Sequence, residues 1–143
     1  MRALLDVNVW IALFDDAHQF SERANAFIAK RGVQVATCPL VENGVVRALN
    51  SPHYSRRGTL AIAQVRERLR EACAVLDHDF WPDDVSLRDD DLFNVARVQG
   101  HNQLTDLYLL ALAVRHGGCL VSFDQATSLT NVHGATPKHL VLL

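Results

Sequence analysis

Short apolar runs alternate along this chain with longer amphipathic segments. The runs predict five strands, at residues 3–5, 33–36, 74–76 with an extension toward Trp81, 119–122 and 139–143. The longer segments predict helices at residues 8–14, 21–31, 59–72, 87–98 and 104–116, and a further helix with Pro39 in its first turn.

Helix boundaries are marked by residues that suit helix ends. Asn8 is expected to cap the first helix, and Thr37 lies near the predicted cap of the helix that contains Pro39. Ser86 and Asp89 have the spacing of a capping box for the helix at 87–98.

Strands separated by helices in this rhythm predict right-handed β-α-β crossovers, and therefore an α/β fold. The sheet should be mostly parallel and covered by helices on both faces. The chain contains no internal repeat or linker-like stretch, so residues 1–143 are expected to form one domain.

Composition narrows the class of protein. The chain has 143 residues, of which 49% are hydrophobic and 21% charged, as in an ordinary globular domain. Its apolar runs are shorter than a membrane span and no secretory signal opens it, so a cytoplasmic protein away from membranes is expected. The three cysteines show no Cys-x-x-Cys spacing and are expected to be reduced.

Four acidic residues fall where the predicted sheet would expose its carboxyl edge. Asp6 ends the first strand, Asp124 follows the strand at 119–122, and Glu42 and Asp106 lie in the first turns of two helices. Ligands of parallel α/β folds sit at this edge. Taken singly, each acid is better explained as a helix cap, a turn residue or a solvated side chain. Their convergence on one edge favours a site.

Carboxylates brought together repel one another unless a cation neutralises them. Oxygen ligands without Cys or His favour a hard ion, Mg²⁺ or Mn²⁺. Such an ion can activate water against a phosphodiester. The four acids therefore predict metal-assisted hydrolysis of a phosphate ester.

The charge balance permits a nucleic-acid partner but does not require one. The formal net charge is −2, from 14 Lys and Arg against 16 Asp and Glu. Removing the four site acids from the 16 leaves 12 against the 14 basic residues, which makes the remaining surface mildly basic. Arg47, Arg56 and Arg57 are equally compatible with an RNA path and with a solubilising surface.

At these acids the sequence resembles the PIN-domain ribonucleases, and in particular the VapC-type toxins of bacterial toxin–antitoxin pairs. Four segments carry the resemblance, in the family's order and over nearly the whole chain: residues 4–14 around Asp6, 39–43 around Glu42, 100–109 around Asp106 and 120–124 around Asp124.

The resemblance implies a PIN-like three-layer α/β/α sandwich with a five-stranded parallel sheet. It also implies Mg²⁺-dependent endoribonuclease activity with Mn²⁺ as a possible substitute, a homodimer, and inhibition by an antitoxin. By position, Asp6, Glu42, Asp106 and Asp124 are its catalytic, metal-site acids, and Asn8, Thr105 and Ser122 are supporting polar residues. No acid follows Asp124, where some relatives carry one, so the number of metal ions stays open.

Two other functions compete with this one. A haloacid-dehalogenase-like phosphatase also ends its first strand in Asp, but that family requires Asp-x-Asp, and position 8 is Asn. A non-catalytic PIN-like module would bind RNA or a partner without cutting. The presence of all four acids argues against it.

Overall fold

Strands and helices alternate as the apolar pattern predicts. The computed structural model describes residues 1–54 and 58–143. Its α-helices and strands, over those residues, are β1 (Ala3–Leu5), α1 (Val7–Phe14), α2 (Ser21–Ile28), β2 (Gln34–Thr37), α3 (Pro39–Asn50), α4 (Ile62–Val75), β3 (Asp77–Phe80), α5 (Leu104–Arg115), β4 (Cys119–Ser122) and β5 (Leu140–Leu142). Short 3-10 helices occupy Val95–Arg97, His101–Gln103, Leu129–Asn131 and Pro137–His139.

The strands form one sheet in the order β3-β2-β1-β4-β5, and every neighbouring pair is parallel. Helices α1 to α4 pack on one another, whereas α5 packs on β1 and β4. This is the three-layer α/β/α arrangement with a central five-stranded sheet, so the predicted fold class is confirmed.

The core lies on both faces of the sheet at the central strand β1 and its neighbour β4. All of β1 and all of β4 are buried, as are Leu109, Leu110 and Leu112 of α5. A strand covered on both faces is apolar throughout rather than at alternate positions, which is why these two strands were visible in the sequence. Over the residues described, no helix is both long and apolar enough to cross a bilayer.

The predicted boundaries of α1 and α2 are wrong. Asp6, not Asn8, is the N-cap residue of α1, which begins at Val7. The prediction that Thr37 lies near the cap of α3 is confirmed, since Thr37 ends β2 and the next residue, Cys38, is the N-cap residue. Helix α2 ends at Ile28, three residues short of its predicted end.

The third strand is also misplaced in the sequence prediction. The apolar run at 74–76 belongs to the end of α4 and its cap, and β3 is the polar segment Asp77–Phe80. Strand β3 lies at the edge of the sheet and three of its four residues are exposed. Edge strands commonly carry charged side chains, so no apolar run is required.

The predicted helix at 87–98 does not form. The Ser86 hydroxyl accepts the Arg88 backbone N–H, and the Asp89 carboxylate accepts that of Asp91. Such local side-chain bonds replace the helical ladder, and only Val95–Arg97 adopts a 3-10 turn.

Candidate active site

Asp6 and Asp124 lie at the point where the strand order of the sheet reverses, after the adjacent strands β1 and β4. From β1 the chain continues to β2 on one side, and β4 pairs with β1 on the other. Ligands of parallel α/β sheets bind beyond the strand ends at such a switch point. The backbone N–H of Asp6 donates to the Val121 carbonyl at 3.0 Å, which carries the β1–β4 pairing one step past the end of β1.

Asp6 is held by the start of α1. Only 4% of the residue is exposed. Its Oδ1 accepts the Val7 backbone N–H at 2.6 Å, and its Oδ2 accepts the Ser122 hydroxyl at 3.2 Å. The carboxylate thus lies at the N-terminal end of a helix, where the helix dipole favours negative charge. Asp6 is therefore both the observed N-cap residue of α1 and a predicted site acid.

Ser122 links two of the acids. Its buried hydroxyl donates to Asp6 and accepts the Asp124 backbone N–H at 3.0 Å. The Asp124 carboxylate in turn accepts the Ala126 backbone N–H at 2.8 Å. These bonds fix the turn after β4 and place Asp124 at the exposed rim of the site.

Asp106 completes a group of three aspartates. It lies in the first turn of α5 and is half-buried. Burial, the charge of Asp6 and a hydrogen bond with Asp124 raise its pKa to about 7. Burial also raises the pKa of Asp6, against the lowering effect of its bonds from Val7 and Ser122. Three carboxyl groups therefore lie close enough to repel, and the pKa of Asp106 is held well above that of an ordinary aspartate.

Glu42 faces a different set of neighbours. Its Oε1 accepts the Thr37 hydroxyl at 2.7 Å, and the same hydroxyl oxygen lies 2.8 Å from Nε2 of His78. Burial raises the pKa of the Cys73 thiol to about 11, and the charge of Glu42 is the second cause of this shift. The structure thus brings Asp6, Asp106 and Asp124 together, whereas Glu42 is bonded to Thr37 at the end of β2 and, through Thr37, is linked to His78 of β3.

The chemistry of the donor set fits a hard divalent cation. The three aspartates offer oxygen ligands, and burial together with the neighbouring carboxylates raises the pKa values of Asp6 and Asp106, which a bound cation would offset. Within residues 1–54 and 58–143, no three His, Cys, Asp or Glu side chains already stand in an ion-holding arrangement. Mg²⁺ keeps several waters and is bound by one or two carboxylates, so it does not require such a cage.

Aromatic side chains border this rim. Phe123, between Ser122 and Asp124, lies with its ring 4.7 Å from that of Phe20 and 6.2 Å from that of His18. The connection between α1 and α2 therefore packs beside Asp124. A wide groove of about 990 Å³ lies at the other end of α1, around Phe14 and Tyr54, and includes none of the four acids.

The remaining sequence-predicted residues are less engaged. Asn8 and Thr105 are exposed in the first turns of α1 and α5. Arg47 is exposed in the last turn of α3. Arg56 and Arg57 lie outside the described residues.

Sequence reasoning missed Thr37 and His78. Thr37 follows the predicted strand at 33–36 and lies near a predicted helix cap, and His78 lies in a polar edge strand that no apolar run marks. Burial lowers the pKa of His78, which favours its neutral form. A polar residue that ends a buried strand was the one signal that marked Thr37 for the site.

Comparison with known proteins points to one family. The family model described as "PIN domain" matches residues 3–132. The chain is 43% identical to Ribonuclease VapC44 of Mycobacterium tuberculosis over 146 residues, covering all of both chains. It is 41% identical to Ribonuclease VapC38 of the same organism over 143 residues, covering 99% of each.

A solved structure shares the fold. VapBC2 from Rickettsia felis, in complex with a DNA fragment from its promoter, superposes with a TM-score of 0.59 at 13% identity. The superposition covers 100% of this chain and 98% of that one. At this identity the likeness concerns the fold alone.

Proposed function

Because this chain belongs to the PIN-domain family, we propose that it is a metal-dependent endoribonuclease of the VapC type, the toxin of a toxin–antitoxin pair. One observation carries the proposal: Ser122 links Asp6 to Asp124 at the switch point of the sheet, and Asp106 is hydrogen-bonded to Asp124 and feels the charge of Asp6. The ribonuclease names of relatives matched over the full length support it.

The proposed site uses Mg²⁺, with Mn²⁺ as a substitute. Asp6, Asp106 and Asp124 would hold the ion, and Glu42 would complete the acidic surroundings. When bound, the ion would activate a water and stabilise charge on the phosphodiester oxygens.

The protein's own groups prepare that site. The Val7 N–H and the Ser122 hydroxyl keep Asp6 oriented, and both favour its ionised form. Burial and the neighbouring acids Asp6 and Asp124 raise the pKa of Asp106, and a cation held by these carboxylates would favour its ionised form. The N-terminal end of α5 then faces the ionised carboxylate and stabilises it.

The substrate and partners follow from the same proposal. RNA phosphates would contact basic side chains, for which Arg47, Arg56 and Arg57 are the candidates. The antitoxin would be a separate chain, and two copies of the toxin would form a homodimer. We also propose a cytoplasmic location, where both the RNA and the antitoxin would be found.

The test is RNA cleavage by purified protein free of antitoxin. Total RNA is incubated with Mg²⁺, with EDTA, and with the variants Asp6→Ala and Asp124→Asn. Asp90→Asn, which alters an exposed acid outside the group of aspartates, serves as the matched control. Discrete fragments are expected from the wild type and the control, and their mapped ends identify the target.

Loss of cleavage in EDTA and in both site variants is the expected result. Cleavage by Asp6→Ala at the wild-type rate would overturn the site. A folded wild type that cuts no RNA in a broad set, and binds neither Mg²⁺ nor Mn²⁺ in calorimetry, would favour a non-catalytic binding module instead.

A further inference from the structure

We propose that Thr37, braced by His78, is a positioning residue that holds the Glu42 carboxylate for the metal site; this rests on the proposed function. The three side chains come from β2, β3 and α3, so their contact depends on the tertiary structure. Thr37 is completely buried, and Glu42 is half-buried.

Hydrogen-bond arithmetic orders the three groups. A threonine hydroxyl has one hydrogen to donate, and an ionised carboxylate can only accept. The 2.7 Å contact with Glu42 therefore uses the Thr37 hydrogen. Nε2 of His78, 2.8 Å from the same oxygen, must then be the donor. The direction is His78 to Thr37 to Glu42.

This order restricts Glu42. A glutamate on a helix can adopt several staggered rotamers, and a hydrogen bond from a fixed group selects one of them. The Thr37 hydroxyl is fixed because the residue lies within the sheet and its rotation is set by two partners. Hydrogen bonds to metal-site carboxylates commonly change metal affinity or activity by about 10- to 100-fold when lost.

Glu42 has no other described anchor of this kind within the acidic site. The carboxylates whose charge raises the pKa of Asp106 are Asp6 and Asp124. The charge of Glu42 instead adds to burial in raising the pKa of Cys73, and it opposes the burial that lowers the pKa of His78. Glu42 would therefore approach a bound ion from the side of β2 and β3, and Thr37 is the hydrogen-bond partner that fixes its carboxylate.

The experiment measures Mn²⁺ binding directly, by paramagnetic resonance of free Mn²⁺, on the full chain. Thr37→Val replaces the hydroxyl by a methyl of similar size. It is expected to weaken Mn²⁺ binding about 10-fold. Thr37→Ser keeps the hydroxyl and should bind within about threefold of the wild type.

A double-mutant cycle separates positioning from a general structural effect. If Thr37 acts through Glu42, adding Thr37→Val to Glu42→Gln should produce no further loss of affinity. His78→Gln, which keeps a donor, should resemble the wild type more closely than His78→Leu does. Ser21→Ala, at a buried hydroxyl of α2 bonded to Asn25, controls for loss of a buried hydroxyl elsewhere.

Two outcomes would overturn the inference. One is wild-type Mn²⁺ affinity in Thr37→Val. The other is an equal loss with and without Glu42→Gln, which would show that Thr37 acts independently of Glu42. A wild type that neither binds Mn²⁺ nor cuts RNA would overturn the proposed function as well, so the two failures are distinguishable.

Discussion

The hydroxyl of Ser122 and the carboxylate of Asp6 are hydrogen-bonded at 3.2 Å although 116 residues separate them in sequence. The parallel register produces this contact. Leu5 pairs with Val121, so the next residue of each strand is Asp6 on one side and Ser122 on the other. The pairing of two buried apolar strands therefore assembles half of the candidate site.

Ser122→Ala should weaken metal binding without unfolding the protein. The change removes a hydrogen bond to Asp6 and leaves the Asp124 N–H without its acceptor. We expect a loss of about 10-fold in Mg²⁺ affinity or cleavage rate. A Mg²⁺ titration of RNA cleavage measures it, with Ser86→Ala, outside the site, as control. An unchanged Mg²⁺ requirement would show that Ser122 does not support the acids.

Asp106→Asn should abolish cleavage and yet stabilise the metal-free protein at pH 8. The pKa of Asp106 is raised from 3.8 to about 7 in the folded protein. An acid whose pKa is higher in the folded than in the unfolded state contributes stability below its unfolded pKa. It loses that contribution as the pH rises through its folded pKa. Because the group is only partly buried, the gain from the substitution is about 1–2 kcal/mol, or a few degrees in Tm.

The measurement is thermal unfolding in EDTA between pH 5 and pH 8. The difference in Tm between Asp106→Asn and the wild type should grow as the pH rises toward 8. Asp90→Asn should show no such trend. A difference in Tm that stays constant across this pH range would contradict the raised pKa of Asp106.

Gly118→Ala should destabilise the fold by about 1–3 kcal/mol, the usual range for overpacking. A Cβ at this position would lie 2.5 Å from the Arg2 carbonyl oxygen and 2.6 Å from the Trp81 ring. Gly100→Ala is the matched control, since its backbone is extended and no atom lies within 4 Å of the added Cβ. Equal unfolding midpoints for the two variants in urea would refute the close approach.

Arg2→Met should lower Tm while cleavage activity is retained. The guanidinium donates to the carbonyls of Val35 and Asp77 and pairs with the carboxylates of Asp77 and Asp79. It thereby ties β3 to the sheet at the end opposite the acids. We expect a loss of a few degrees, since charge-assisted bonds to backbone carbonyls are disrupted. A drop in activity without a change in Tm would contradict this purely structural role.

Much of the fold was predictable because its signals are local. Strands β1 and β4 are continuous apolar runs, and α5 is long, apolar and followed by Gly117, which adopts a φ of 65°. Strand β3 carries Asp-His-Asp-Phe at the sheet edge, so no apolar run marked it. The helix expected at 87–98 failed because Ser86 and Asp89 bond to the backbone locally.

Local sequence patterns were enough to predict a parallel sheet and four acids that follow buried strands or open helices. Tertiary packing places β1 between β2 and β4, and hence brings Asp6, Asp106 and Asp124 close together while Glu42 contacts Thr37. The reason is physical. Apolar periodicity is set within a few residues, whereas strand order and register arise from packing between segments that are far apart in the chain.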